Sequence, residues 1–96
     1  MRREEVLTTL KAHRDDLVRF GVKSLRLFGS TARDEMRPES DVDLLVDFES
    51  SPTFADYMKL RIYLEDLLGV SVDLVTETGL RSRVRPYVEK DAIRVA

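Results

Sequence analysis

Ser40-Asp41-Val42-Asp43-Leu44-Leu45-Val46-Asp47-Phe48 reads as an apolar strand with acids set into it. Period-two alternation predicts an extended segment from Asp41 to Phe48. Val42, Leu44 and Val46 take one face, and Asp41, Asp43, Leu45 and Asp47 the other. Aspartate is depleted in strands, so a pair at i and i+2 beside a Leu-Leu-Val run asks for a reason. The two carboxylates project together, and like charges held that close repel unless a cation neutralises them. Hard divalent ions with oxygen ligands do this, and magnesium is the usual choice where a substrate brings phosphates. The plain alternative is charge that keeps a strand edge from aggregating. It suits Asp47, near the strand's end, better than Asp41 and Asp43.

Asp73 repeats the signature. It stands inside Val72-Asp73-Leu74-Val75, in a strand expected over Val70 to Thr76 with Val70, Val72 and Leu74 on the opposite face. If the two strands are neighbours, three carboxylates meet on one face, a donor set for two metal ions about 3.5–4 Å apart. Upstream, a short strand from Lys23 to Phe28 ends at Gly29-Ser30. Glycine lets a backbone approach a ligand closely, and one helical turn over Ser30-Thr31-Ala32-Arg33 would aim free N–H groups at an anion. Ser30 adds a hydroxyl donor and Arg33 a guanidinium fork. A Gly-Ser pair alone is usually just a capped turn. Here it follows one strand directly and precedes the Asp-x-Asp by eleven residues, which gives it weight.

The rest of the chain frames these segments. A helix is expected from Arg3 to Arg19, with Val6, Leu7, Leu10, Leu17 and Val18 on its apolar stripe and Gly21 as its stop. His13 falls near that stripe as a packed or half-exposed side chain, since the chain has no second His and no Cys to join it at a metal. A loop with Pro38 spans Met36 to Ser40. Thr53 and Asp56 form a capping-box-like start for a helix from Phe54 to Leu68, closed by Gly69. Its stripe is Phe54, Tyr57, Leu60, Leu64, Leu67 and Leu68, with Tyr57 placed in the core. A short helix over Leu80–Val84, a further turn from Pro86 to about Asp91, and an edge strand over Ile93–Val95 complete an α/β order.

Ninety-six residues at 11.1 kDa are expected to make one small domain spanning 1–96. Without cysteine there is neither a disulfide framework nor a thiolate zinc site, and one histidine makes Ser-His or Cys-His catalysis a poor fit. No apolar run approaches the ~18 residues of a membrane span and no signal-peptide pattern opens the chain, so a cytoplasmic setting is expected. A net charge of −2 argues against direct nucleic-acid binding. The charge is unevenly spread: −7 over residues 24–79 and +3 over residues 80–96. Arg81, Arg83 and Arg85 in the basic end form either a docking or phosphate-contacting surface or a solvated helix face.

Gly29-Ser30-Thr31-Ala32-Arg33 followed by Ser40-Asp41-Val42-Asp43-Leu44-Leu45-Val46 resembles the signature of the DNA polymerase beta-like nucleotidyltransferases, and the short length resembles their minimal branch. Asp34 departs from that branch, which usually has Gly after the Arg. The resemblance implies a small mixed β-sheet flanked by α-helices, with ATP bound through two Mg2+ ions. It implies that Asp41 and Asp43 bridge the metals, and that Asp73 holds the catalytic one and helps activate the acceptor hydroxyl. It further implies that Gly29 and Ser30 grip the β/γ-phosphates and that Arg33 stabilises the leaving pyrophosphate. Stand-alone members of this branch look like antitoxins paired with HEPN-domain ribonuclease toxins. By that likeness the chain would transfer AMP to a toxin tyrosine within a hetero-oligomer. Two other readings stay open: a non-catalytic antitoxin that neutralises by covering the toxin, and a transferase acting on a small-molecule hydroxyl. A neighbouring gene for a small helical protein with an Arg-x(4–6)-His motif would favour the first.

Overall fold

The computed structural model describes residues 2–29, 41–76 and 93–95. The expected N-terminal helix is two helices, α1 (Arg3–Ala12) and α2 (Arg14–Arg19), separated at His13. His13 leaves helical geometry (φ −112°, ψ 23°), and its ring Nδ1 donates to the Thr9 carbonyl at 2.8 Å. Val6, Leu7 and Leu10 on α1 and Leu17 on α2 are buried. Val18, expected on the same stripe, is 65% exposed, because beyond the break Leu17 alone faces inward.

Three strands follow the expected positions to within two residues: β1 (Val22–Leu27), which starts one residue early, β2 (Val42–Phe48) and β3 (Val72–Thr76). Between β2 and β3 lies α3 (Phe54–Leu68), and β4 (Ile93–Arg94) closes the described chain. The expected loop over 36–40, the turn at Ser30–Arg33 and the elements between Leu80 and Asp91 lie outside the described residues. The strand order is β3-β2-β1-β4, with β2 and β3 parallel and the β1–β2 and β1–β4 pairs antiparallel. The register of β1 against β2 slips between Val22 and Ser24, so Lys23 is an extra residue. That bulge lets Val22 share the core face with Leu25 and Leu27 despite its opposite parity.

The core lies on one side of the sheet. Val42, Leu44, Val46, Val72, Leu74, Leu25 and Leu27 face it from the strands, and α1, α2 and α3 cover them. On α3, Leu60, Leu64 and Leu68 carry the burial, while Tyr57 and Leu67 are partly buried. Phe54 is 79% exposed, which corrects its place on the stripe. It is the first helical residue and lies beyond the end of the sheet. The capping box at its start is present: Thr53 Oγ1 accepts the Asp56 N–H at 3.1 Å, and Asp56 Oδ2 accepts the Thr53 N–H at 2.9 Å. Those two Thr53 bonds hold the Asp56 carboxyl below its ordinary range. A tether joins α3 to α2, where Tyr63 Oη donates to Asp16 Oδ2 at 2.9 Å and the Tyr63 ring meets Phe20 at 4.9 Å.

Candidate active site

The strand directions decide what meets on the face opposite the main core cluster, where Leu45 is also buried. Gly29 lies just past β1, and antiparallel pairing carries it back to the start of β2. Leu27 faces Leu44, and the Phe28 N–H donates to the Asp43 carbonyl at 3.1 Å. The Asp43 side chain therefore sits against Gly29. A Cβ added there would stand 2.5 Å from Asp43 Oδ2 and 3.2 Å from its Cγ, and the backbone φ is +62°. Both facts require glycine: the conformation is left-handed, and the space of a side chain is already taken by a carboxylate.

On its other side β2 pairs in parallel with β3, and Asp43 and Asp73 are direct register partners. Adjacent strands lie about 4.8 Å apart, so the two acids stand side by side on the face that the core does not use. Val42↔Val72 and Leu44↔Leu74, the rows on either side, turn inward. Asp41 precedes β2 and is exposed; the Val42 N–H donates to the Ser71 carbonyl at 3.0 Å, which prolongs the pairing toward it. Alternation places Asp41 on the side of Asp43.

Among the described residues, no three His, Cys, Asp or Glu side chains close on a point that could hold a metal ion. The closeness shown is pairwise, Asp43 with Asp73 in register and Asp43 with Gly29 in contact. Anionic oxygen donors side by side, with no nitrogen or sulfur among them, suit a hard divalent ion such as Mg2+. Ser30 and Arg33 lie outside the described residues.

Other residues on this face escaped the sequence reading. Arg26 pairs with Leu45 on one side and with Arg94 on the other, so two guanidinium groups share the face with the acids. Alternation about Leu25 and Leu27 could have placed Arg26 there; no sequence signal pairs it with Arg94. A cavity of about 690 Å3 opens at the far end of β2, beside Phe48, Pro52, Phe54 and Tyr57, and none of the candidate site residues line it. No helix among the described residues is long and apolar enough to cross a membrane.

Comparison with known proteins gives the family and the fold. The profile described as "Nucleotidyltransferase domain" matches residues 10–95. The protein adenylyltransferase MntA of Thermococcus cleftensis is 43% identical over 93 residues, covering 96% of this chain and 94% of that protein. A solved structure assigned as a minimal nucleotidyltransferase superposes with a TM-score of 0.85 at 44% identity, covering 97% of this chain and 95% of the other. A chain from the complex of tri-AMPylated Shewanella oneidensis HEPN toxin with MNT antitoxin shares the fold at a TM-score of 0.63 and 16% identity, covering 91% of this chain and 71% of that one. Matched over residues 10–95 by the domain profile and over nearly its whole length by an adenylyltransferase relative, the chain belongs to the nucleotidyltransferase-domain family and is a nucleotide-transferring enzyme.

Proposed function

We propose that the chain is an antitoxin that transfers AMP from ATP to a tyrosine hydroxyl of a cognate HEPN-domain ribonuclease toxin, with which it assembles. The observation that carries the reading is the Asp43–Asp73 register pair set against Gly29. The adenylyltransferase relative and the AMPylated toxin complex support the class of acceptor.

Asp41, Asp43 and Asp73 would hold two Mg2+ ions. When bound, the ions neutralise the triphosphate and stabilise the charge of the leaving oxygen. Gly29 makes room for the Asp43 carboxylate beside the β/γ-phosphates, Ser30 donates a hydroxyl to them, and Arg33 takes up charge on the departing pyrophosphate. Asp73, on the neighbouring strand, faces the acceptor and takes its hydroxyl proton. The hydroxyl oxygen forms a bond to the α-phosphorus as the bond to the bridging oxygen breaks, and pyrophosphate leaves.

The test incubates the protein with α-labelled ATP, Mg2+ and the HEPN protein encoded beside it, and weighs both proteins intact. A gain of one or more adenylyl units on the partner is the expected result. An unmodified partner whose ribonuclease activity is still silenced would replace this reading with neutralisation by contact.

A further inference from the structure

β3 is an edge strand among those described, so only one of its sides is held by a neighbouring strand. Backbone groups alternate between the two sides. The Ser71 carbonyl points toward β2 and accepts the Val42 N–H, which leaves the groups of Val72 and Leu74 facing the free edge. Two side chains of α3 occupy that edge. Glu65 Oε2 accepts the Val72 N–H at 3.0 Å, and Tyr57 Oη donates to the Leu74 carbonyl at 2.6 Å. Arg61, one turn before Glu65, lies 3.8 Å from the same Oε2. Val72 and Leu74 are the two residues that flank Asp73.

We infer that Tyr57 and Glu65 are positioning residues for the transfer reaction: from α3 they clamp β3 on both sides of Asp73 and hold its carboxylate opposite Asp43. This rests on Asp73 belonging to the site proposed above. Hydrophobic patterning already resists a slip of one residue, because that would bury Asp73 and expose Val72 and Leu74. It does not resist a slip of two. Such a shift keeps every residue on its own face and remakes the ladder, yet sets Asp73 opposite Asp41 or Leu45, about 6.6 Å from its place. Glu65 and Tyr57 each meet one particular peptide group, so they separate the native register from the two-residue slip.

The test compares Glu65→Ala, Glu65→Gln, Tyr57→Phe and the double Tyr57→Phe/Glu65→Ala. Tyr63→Phe, which loses the α3 tether to Asp16 instead, serves as comparator. Mn2+ alone is the first probe: its affinity, read from water-proton relaxation, should fall at least about tenfold in the double variant, because Asp73 no longer stands opposite Asp43. The Val72 amide should exchange at least about tenfold faster in Glu65→Ala and return toward wild type in Glu65→Gln, which keeps an acceptor oxygen. With the toxin as acceptor, kcat should fall about 10–100-fold in the double variant while KM for ATP stays within about twofold. Tyr63→Phe should lower Tm with none of these effects. A double variant with wild-type Mn2+ affinity and kcat overturns the clamp, as does an equal loss of kcat in Tyr63→Phe at matched Tm. Asp73→Asn separates the two levels. If it transfers AMP at the wild-type rate, the site reading fails and the clamp with it; if it is inactive while the clamp variants are normal, the clamp alone fails.

Discussion

Replacing Gly29 by alanine perturbs two things at once, and the structure supplies a control that separates them. Gly21 has φ +82° and open space around its missing Cβ, whereas Gly29 has φ +62° and the Asp43 carboxylate 2.5 Å from that position. An L-residue in the left-handed region costs about 1–2 kcal/mol, and both substitutions carry that cost. For a domain of this size it corresponds to a Tm loss of about 4–8 °C per kcal/mol. Only Gly29→Ala also drives a methyl group into Asp43. Ordinary contact begins near 3.4 Å, so the carboxylate must retreat by close to an ångström. A displacement of that size at a reacting centre costs about a hundredfold in rate. Thermal unfolding and Mg2+-dependent transfer from α-labelled ATP are measured on both variants. The expected result is a comparable fall in Tm for the two, and about a hundredfold loss of transfer for Gly29→Ala alone. Transfer by Gly29→Ala within about threefold of Gly21→Ala would remove the contact with Asp43 from the mechanism.

Asp41→Asn with Asp43→Asn should abolish nucleotide transfer while the circular dichroism spectrum stays native; wild-type transfer by the double variant would refute the assignment. Ser30→Ala should weaken ATP binding by about 1–2 kcal/mol in calorimetry, the size of one hydrogen bond to a charged group. Thr53→Ala removes the α3 cap and should cost about 1 kcal/mol in denaturant unfolding. Because Thr53 holds the Asp56 carboxyl below its ordinary value, the stabilisation from that pair is present at neutral pH and disappears as pH falls into the acid range. Desolvation first, and then the Asp16 hydrogen bond, push the Tyr63 hydroxyl from 10.0 up to about 12. A raised value means its contribution is complete below pH 10 and is lost between 10 and 12. Unfolding at pH 9 and pH 11 should therefore show a steeper decline for the wild type than for Tyr63→Phe.

Local signals were read where they are strong. The bounds of α3 follow from the Thr53–Asp56 box and from Gly69, whose φ of +71° ends the helix. The two faces of β2 follow from alternation, so the strand carrying Asp43 was legible to within a residue. Long-range facts were not. The break at His13 has no Gly or Pro to mark it, and the bulge at Lys23 exists only in the pairing of β1 with β2. That Asp73 stands opposite Asp43 depends on strand order, which alternation leaves open, and on a register that any two-residue slip would satisfy. Tyr57 read as a core residue because its ring is apolar, yet its hydroxyl is bound to the β3 backbone. Phe54 is a genuine miss, since helical spacing alone does not tell which stripe residues the sheet covers.

Asp43 and its register partner Asp73 are thirty positions apart in the chain. At a synthesis rate of about 5–20 residues per second, roughly 1.5–6 s pass between their additions on the ribosome. Through that interval the nascent polypeptide possesses the glycine and the first two acids but lacks the third, and α3 is laid down before the strand that brings it. On the proposed mechanism a product that stops before Asp73 would be chemically silent, and activity would report completion of the β2–α3–β3 crossover.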